Sequence, residues 1–345
     1  MNDQIVAESL TRVFRVKVRE PGLRGAFAAL LRPRYREVRA LDRVSFTVPA
    51  GEIVAFLGPN GAGKTTALKI LSGLLHPTQG AARVAGFEPW RGGAAFKKRI
   101  AIVLGNKQQL LWDLPPVETF LLNRAIYDVG WPEYRQRLDE LVELLNLSDV
   151  LDKPVRQLSL GERMKCELTA SLLHRPQILF LDEPTLGLDV AAQDAIRAFL
   201  TIYRARHGAT LLLTSHYMAD VTALARRVLI INRGHLLYDG ELAALVTRIA
   251  RTRRLELVLS AGMTAEQLAP FGTVHAYRFP NATLEVPREE AMRVSAALLS
   301  SLPLVDLSIQ DPPIEETIRR AFEGEIGAAD DAGTGAADSA PAQLR

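Results

Sequence analysis

The stretch Gly58-Pro59-Asn60-Gly61-Ala62-Gly63-Lys64-Thr65-Thr66 decides the fold of this chain. It follows an apolar run typical of a buried strand and opens a helical pattern. Its glycines let backbone N–H groups converge on an anion, and the N-terminal end of the next helix adds a favourable dipole. This is the pattern of a phosphate-binding loop, in which Lys64 contacts the β- and γ-phosphates and Thr65 binds Mg²⁺. It predicts a nucleoside triphosphate site and leaves kinases, GTPases and motor ATPases open.

Composition limits the classes of protein to consider. With 345 residues, 48% of them hydrophobic, the chain is long enough for one large core and a smaller second one. The net charge of +3 gives no support to nucleic-acid binding. No secretory signal is visible at Met1–Gln4, and no apolar run approaches the roughly 18 residues that span a bilayer. The single cysteine, Cys166, agrees with a reducing compartment. We expect a cytosolic or peripheral membrane protein, for which another chain supplies any spanning helices.

Basic residues are concentrated near the N-terminus. Between residues 10 and 40 the acids are Glu20 and Glu37, and the bases are Arg12, Arg15, Lys17, Arg19, Arg24, Arg32, Arg34, Arg36 and Arg39. Two interpretations stay open. The stretch is either the solvated face of a loop or hairpin, or a contact with an anionic membrane surface or an acidic partner.

Apolar runs bounded by turn residues alternate with helical stretches over residues 1–240. The runs 53–57, 178–181, 210–214 and 228–231 predict a buried parallel sheet. Val44–Val48 and Gly234–Gly240 suit antiparallel edge strands. Helical periodicity between about residues 116 and 175 predicts a helical subdomain inserted into this α/β domain.

The region after residue 240 has its own pattern of predicted strands and helices. A helical connector over 241–251 leads into the order β-α-β-β-α-β, which predicts a small α+β domain with a split βαβ arrangement over residues 241–323. Its last helix is expected at Ile314–Glu323. Residues 324–345 are rich in Gly, Ala and Asp and are expected to be disordered.

Two carboxylates end the apolar run Ile178-Leu-Phe-Leu-Asp182-Glu183. An open α/β sheet binds its ligand at the carboxyl ends of its strands. Asp182 can therefore hold Mg²⁺, and Glu183 can orient and deprotonate the water that attacks the γ-phosphate. The alternative is that the pair only caps the next helix.

Further polar residues precede and follow this pair. Ser159 in Leu158-Ser-Leu-Gly-Glu162 comes just before a helical pattern and suits either a second anion site or an ordinary helix N-cap. Gly187-Leu-Asp189 follows the acidic pair. His216 ends the next strand, where it can donate a hydrogen bond to the γ-phosphate or be structural.

Taken in order, these residues resemble the nucleotide-binding subunits of ABC transporters over about residues 3–240. The loop 58–66 matches the Walker A loop, 158–162 the family signature, 178–183 Walker B, 187–189 the D-loop, and His216 the switch histidine. The resemblance implies a P-loop NTPase cassette, a mostly parallel sheet with antiparallel edge strands and a helical subdomain. It also implies ATP and Mg²⁺ as ligands and ATP hydrolysis that powers transport.

The resemblance further implies the partners. In that family two cassettes pair head to tail, as a homodimer or with a related cassette, so that ATP lies between the Walker A loop of one and the signature serine, here Ser159, of the other. The resemblance also implies Gly161 and Asp189 as nucleotide-binding residues. A separate integral membrane permease is implied, with the chain peripheral at the cytoplasmic face of the membrane and with no nucleic acid as a partner. The C-terminal region looks like the appendix of drug and antibiotic exporters, and either regulates the dimer or only stabilises it.

Some positions depart from the family pattern. Leu160 and Glu162 replace a Gly and a Gln of the signature. The position of the Gln that senses Mg²⁺ and the permease holds Asn106, with Gln108 as the alternative. Phe14 is the candidate for stacking on adenine, and Tyr35 is its competitor.

The rival function is a soluble ABC-type ATPase that acts on ribosomes or nucleic acid. It is disfavoured because the chain has one cassette and no long coiled-coil insertion. A purely regulatory nucleotide binder is disfavoured because Asp182 and Glu183 are both present.

Overall fold

The computed structural model describes residues 3–17, 35–105, 108–215, 217–249, 252–312 and Glu316. The chain divides into a first unit, Met1–Glu241, and a second unit, Leu242–Arg345. The strands of the first unit are β1 (Asp3–Lys17), β2 (Tyr35–Pro49), β3 (Ile53–Leu57), β4 (Gln79–Val84), β5 (Ile100–Leu104), β6 (Ile178–Asp182), β7 (Thr210–Thr214), β8 (Arg227–Asn232) and β9 (His235–Glu241). Its helices are α1 (Lys64–Leu71), α2 (Gly93–Lys97), α3 (Pro116–Tyr127), α4 (Trp131–Leu145), α5 (Leu160–Leu172), α6 (Val190–His207) and α7 (Met218–Leu224), with a short 3₁₀ turn at Val155–Gln157.

A six-stranded sheet in the order β5-β6-β7-β3-β8-β9 forms the centre of the first unit. Its first five strands are parallel, and β9 pairs antiparallel with β8 at the edge. All residues of β3, β6 and β7 are buried, as expected for parallel strands that are covered on both faces. The predicted parallel sheet with an antiparallel edge is confirmed.

A second sheet of this unit is antiparallel and has the order β2-β1-β4. The run Val44–Val48 lies here, inside the longer strand β2, and not at an edge of the parallel sheet. Its inward side chains pack on the larger sheet, where the rings of Phe46 and Phe56 meet edge to face with centroids 5.4 Å apart. Leu68 and Ile70 of α1 belong to the same buried cluster, so the helix that follows the phosphate loop is anchored in the main core.

The helices between residues 116 and 172 begin and end at residues that are typical of helix termini. α3 starts at Pro116, and α4 has Pro132 as its second residue; in the first turn the missing N–H of proline costs no helical hydrogen bond. Both end at a residue with left-handed backbone, Asp128 and Asn146. The helical stretch interrupts the sheet between β5 and β6.

The second unit begins with α8 (Leu242–Ile249) and has the predicted order of elements. They are β10 (Thr252–Leu259), α9 (Ala265–Leu268), β11 (Thr273–Arg278), β12 (Asn281–Pro287), α10 (Ala291–Ser301) and β13 (Leu304–Gln310), with 3₁₀ turns at Ala269–Phe271 and Arg288–Glu290. The sheet order is β11-β12-β10-β13, antiparallel throughout. Alternate residues of its strands form one core with Leu268 and Leu298. Apart from Glu316, the expected last helix and the 324–345 tail lie outside the described residues.

Candidate functional site

The phosphate loop is held at both ends by close backbone neighbours. It connects the buried strand β3 to α1. A Cβ at Gly58 would lie 2.2 Å from the carbonyl oxygen of Ile231, at the end of β8. At Gly63, φ is +116° and a Cβ would lie 2.4 Å from the carbonyl oxygen of Ala40. Glycine is therefore required at these two positions by space and, at position 63, also by conformation.

Lys64 lies inside this loop. Its side chain is only 6% exposed, and Nζ donates hydrogen bonds to the carbonyl oxygens of Gly58 at 2.5 Å and Pro59 at 3.1 Å. Burial lowers the pKa of Lys64, and the carboxylates of Glu183 and Asp182 act in the opposite direction. The ammonium group thus lies within the curled loop, with the negative charges of Asp182 and Glu183 at the end of β6 acting on it.

Three strand and helix ends meet at Asp182. This carboxylate ends β6 and is buried. It accepts hydrogen bonds from the hydroxyl of Thr65 at 3.0 and 3.1 Å and from the hydroxyl of Thr214, at the end of β7, at 2.7 Å. These hard oxygen ligands on adjacent elements are of the kind that Mg²⁺ prefers, so Thr65 and Asp182 fit a magnesium site.

Glu183 is fixed through its backbone. It has left-handed backbone with φ 54°, and its N–H donates to the carbonyl oxygen and the hydroxyl of Thr214, both at 3.1 Å. Non-glycine residues in this conformation are uncommon and cluster at functional sites. The half-buried side chain follows directly after Asp182 at the carboxyl edge of the sheet, where the sequence predicts it.

The signature segment forms the N-terminus of α5. Ser159 is its N-cap, with its hydroxyl accepting from the N–H of Glu162 at 3.2 Å, and the Glu162 carboxylate accepts from the N–H of Ser159 at 2.8 Å. This is a complete capping box. The N–H and hydroxyl of Ser159 lower the pKa of Glu162. The departure at position 162 therefore has a structural role, because a carboxylate here closes the cap.

The D-loop and the signature lie next to each other. A Cβ at Gly161 would be 2.9 Å from the Cβ of Ala192 in α6, and one at Gly187 would be 3.3 Å from a methyl group of Leu160. Asp189 caps α6 by accepting from the N–H of Ala192 at 2.8 Å. Ser159 and Asp189 thus start two helices that approach each other at their N-terminal ends.

Several other predicted positions are not tested by the described residues or lie apart from the contacts described for this site. Asn106 and His216 lie outside the described residues, and Gln108 is exposed. Phe14 is on β1, half-buried, with the guanidinium of Arg12 4.7 Å from its ring centroid. Tyr35 starts β2 on the same hairpin and is exposed. The choice between Phe14 and Tyr35 stays a prediction, as does that between Asn106 and Gln108.

Sequence reasoning missed three polar side chains around the site. Thr214 binds Asp182 and Glu183, as described above. The carboxylate of Glu167 accepts from the N–H groups of Gln109 at 2.8 Å and Leu110 at 3.3 Å, and burial raises its pKa. Asp220 accepts hydrogen bonds from Thr185 and Ser215, in the turns after β6 and β7, and from Arg197 on α6. The sequence shows Glu167 and Asp220 only as charged residues on the buried face of a helix. That pattern does not identify the groups to which they are hydrogen-bonded.

The family follows from comparison with known proteins. Residues 41–186 match the family model described as ABC transporter, and residues 251–310 match the EvrA-like ABC transporter C-terminal domain. The ABC transporter ATP-binding protein NatA of Bacillus subtilis is 35% identical over 208 residues, which are 60% of this chain and 84% of that protein. The chain belongs to the ABC transporter family.

Two further comparisons describe this ABC protein. The daunorubicin/doxorubicin resistance ATP-binding protein DrrA of Streptomyces peucetius is 32% identical over 276 residues, 76% of this chain and 82% of that protein. The dimeric post-hydrolysis state of the cassette MJ0796 with ADP and Pi has the same fold, with a TM-score of 0.57 and 21% identity over 69% of this chain and 98% of that one. As a member of the ABC transporter family, the protein is an ATP-binding subunit and an ATPase, with ATP and Mg²⁺ as its ligands. None of the helices described here is long and apolar enough to cross a bilayer.

Proposed function

We propose that this ABC subunit powers export by a separate integral membrane permease, as one of two cassettes that close head to tail on ATP at the cytoplasmic face of the membrane. The observation that carries the proposal is the contact of the Thr65 hydroxyl with the Asp182 carboxylate at 3.0 Å. This contact joins the phosphate loop to the end of β6. The residues proposed to bind phosphate therefore lie next to the segment that carries Glu183, which is proposed to activate water.

Each residue of the site has a separate role in ATP binding or hydrolysis. Lys64 and the backbone of 58–66 bind the phosphates, and Thr65 and Asp182 hold Mg²⁺, which neutralises phosphate charge when it is bound. Glu183 orients the attacking water and takes its proton. His216 supports the γ-phosphate, and Asn106 takes the position of the sensing amide.

The surface around the signature supports a paired cassette. Leu160, Leu186 and Val190 are large apolar side chains with 43%, 45% and 71% of their surface exposed. They belong to the same two segments as Ser159 and Asp189. Exposed apolar side chains grouped at a polar site are typical of a surface that binds another protein. A second cassette, identical or related, is the partner that completes the site.

The direction of transport is inferred from the second unit. The match to DrrA covers 276 residues, which is more than the 241 residues of the first unit. It therefore includes part of the appendix, and DrrA is named for resistance to two drugs. This supports export of a compound that the permease selects.

Replacement of the water-activating residue tests the catalytic assignment. Glu183→Gln is expected to keep ATP binding and to lower steady-state hydrolysis by about 10²- to 10⁴-fold, because the amide cannot take the proton. Binding is measured by equilibrium titration with ATP, and hydrolysis by phosphate release. The exposed carboxylate Asp194 provides the control Asp194→Asn, which should retain both. Hydrolysis at the wild-type rate in Glu183→Gln would remove Glu183 from this role.

Copurification tests the partner. The tagged full chain, extracted in mild detergent, is expected to retain a multi-spanning membrane protein. Recovery of ribosomes or nucleic acid instead would support the rival function of an ABC ATPase without a transporter.

A further inference from the structure

A buried carboxylate outside the nucleotide-binding motifs connects the turns that border the site. Asp220 lies in the first turn of α7, and its side chain is 2% exposed. It accepts hydrogen bonds from the hydroxyl of Thr185, from the hydroxyl of Ser215 at 2.7 Å and from the guanidinium of Arg197 at 2.7 Å. A buried carboxylate that accepts from three donors on different segments fixes the position of those groups.

The contact with Thr185 acts on the segment that carries Glu183. Thr185 is two residues after Glu183, and its carbonyl oxygen accepts from the N–H of Leu188 at 3.2 Å. The N–H of Leu186 donates in turn to the carbonyl oxygen of Glu183 at 3.2 Å. The turn from Glu183 to Leu188 is thus closed by its own backbone and tied to the rest of the unit through the Thr185 hydroxyl.

The contact with Ser215 acts on the end of the neighbouring strand. The Ser215 hydroxyl also accepts from the N–H of Tyr217 at 3.0 Å, and Ser215 follows directly after Thr214. Thr214 is the residue whose hydroxyl and carbonyl group hold both Asp182 and the N–H of Glu183. Asp220 therefore binds both turns that set the backbone position of Glu183.

Arg197 adds a connection to the helix that Asp189 caps. It lies on α6, is mostly buried, and pairs with Asp220 through one nitrogen and with Asp194 through the other at 2.6 Å. The two partners differ in their surroundings, because Asp194 is 66% exposed. Of the two ion pairs of Arg197, the one with Asp220 reaches the turns beside the site.

We infer that Asp220 is a positioning residue for ATP hydrolysis, which holds the turns after β6 and β7 in register so that Glu183 faces the γ-phosphate. The inference rests on the proposed role of Glu183. It does not require Asp220 to touch ATP, because this buried carboxylate acts through the hydroxyls of Thr185 and Ser215. The phosphate loop and its hydrogen bonds to Lys64 involve none of these residues.

The test compares the turnover number with the Kd for ATP in variants of the full chain. Asp220→Asn keeps the size of the side chain but replaces one acceptor oxygen by a donor, so that Thr185, Ser215 and Arg197 cannot all be satisfied. The turnover number is expected to fall about 10- to 100-fold, as for misplacement of a reacting group, while the Kd for ATP stays within about twofold of wild type. Thr185→Val removes a single donor without changing charge and should lower turnover about 3- to 10-fold with the same Kd.

Asp194→Asn is the matched control, because it removes the other ion pair of Arg197 and leaves both turns untouched. It is expected to hydrolyse ATP at the wild-type rate. Turnover within twofold of wild type in both Asp220→Asn and Thr185→Val would overturn the inference. So would an equal loss of turnover in Asp194→Asn, or a loss of ATP affinity in Thr185→Val as large as its loss of turnover. Failure of the proposed function is distinct, since the wild-type chain itself would then not hydrolyse ATP or would do so without Glu183.

Discussion

Gly63 shows how strictly a single position constrains the site. Gly63→Ala places a Cβ 2.4 Å from the carbonyl oxygen of Ala40 and puts an L side chain at φ +116°. We expect the free energy of unfolding to fall by about 1–3 kcal/mol and ATP affinity to fall with it. Denaturant unfolding and ATP titration measure the two effects.

The control for this substitution is Gly130→Ala. Gly130 has an ordinary φ of −60°, and the nearest atom to its Cβ position is 4.0 Å away. This variant should keep ATP affinity. If Gly63→Ala binds ATP as tightly as Gly130→Ala, the close approach of the loop to Ala40 is not needed for binding.

The residues of the site were predictable to different degrees. Lys64, Thr65, Asp182 and Glu183 stand in two short motifs, each with a strand before it, so local sequence is enough to place them. Thr214 binds Asp182, which is 32 residues away along the chain, and Asp220 binds Thr185, which is 35 residues away. Such partners are set by the order of strands in the sheet, which no local pattern contains.

At the scale of elements, His174 joins the helical stretch to the sheet. It follows α5, stacks on Tyr127 of α3 with ring centroids 3.8 Å apart, and its Nε2–H donates to the carbonyl oxygen of Ile100 at 3.0 Å. Burial lowers its pKa from 6.5 to about 4. The unfolded chain therefore takes up this proton at higher pH than the folded protein does.

This difference predicts how stability depends on pH. The contribution of His174 is complete above pH 6.5 and is lost as the pH falls from 6.5 to about 4, by at most about 3 kcal/mol. In His174→Gln this part of the pH dependence should disappear, whereas His76→Gln, at an exposed ring, should retain it. Denaturant unfolding at several pH values measures the slope. Equal slopes in wild type and His174→Gln would contradict the prediction.

Elements with strong local signals were predictable, and those without were missed. α3 and α4 have proline in their first turn and end where the backbone turns left-handed, and both lie within the helical stretch predicted over about residues 116–175. β4 has the sequence Gln79-Gly-Ala-Ala-Arg-Val84, with little apolar surface, and forms because β1 provides a pairing edge. The alternation of Val44–Val48 predicted a strand but not the sheet to which it belongs.

At the scale of the whole molecule, the order of elements in the second unit was sufficient to predict its topology. A β-α-β-β-α-β sequence has few arrangements without crossed connections, and the observed sheet is one of them. In the first unit the sequence predicted parallel strands and an antiparallel edge, but not the strand order. That order depends on which buried faces fit together over the whole unit.

The central position of β3 has a consequence for synthesis of the chain. β3 precedes the phosphate loop, but its two neighbours are β7 and β8, where Ile53 pairs with Leu211 and Val54 with Arg227. Contacts between distant segments form late, because the intervening chain must first be closed into a loop. A chain that ends at residue 226 lacks β8 and should not bind ATP in an equilibrium titration, whereas one that ends at residue 241 should. ATP binding by the shorter chain would contradict this.

During synthesis on the ribosome, the phosphate loop is made early, but β8, a neighbour of the strand that precedes it, is made late. At 5–20 residues per second, roughly 10–30 s pass between synthesis of β3 and synthesis of β8. During that time an apolar strand has neither of its partners. In a nascent chain of this protein the apolar strand Ile53–Leu57 therefore lacks the neighbour β8 until that strand is made, and we expect ATP to bind only near the end of synthesis of the first unit.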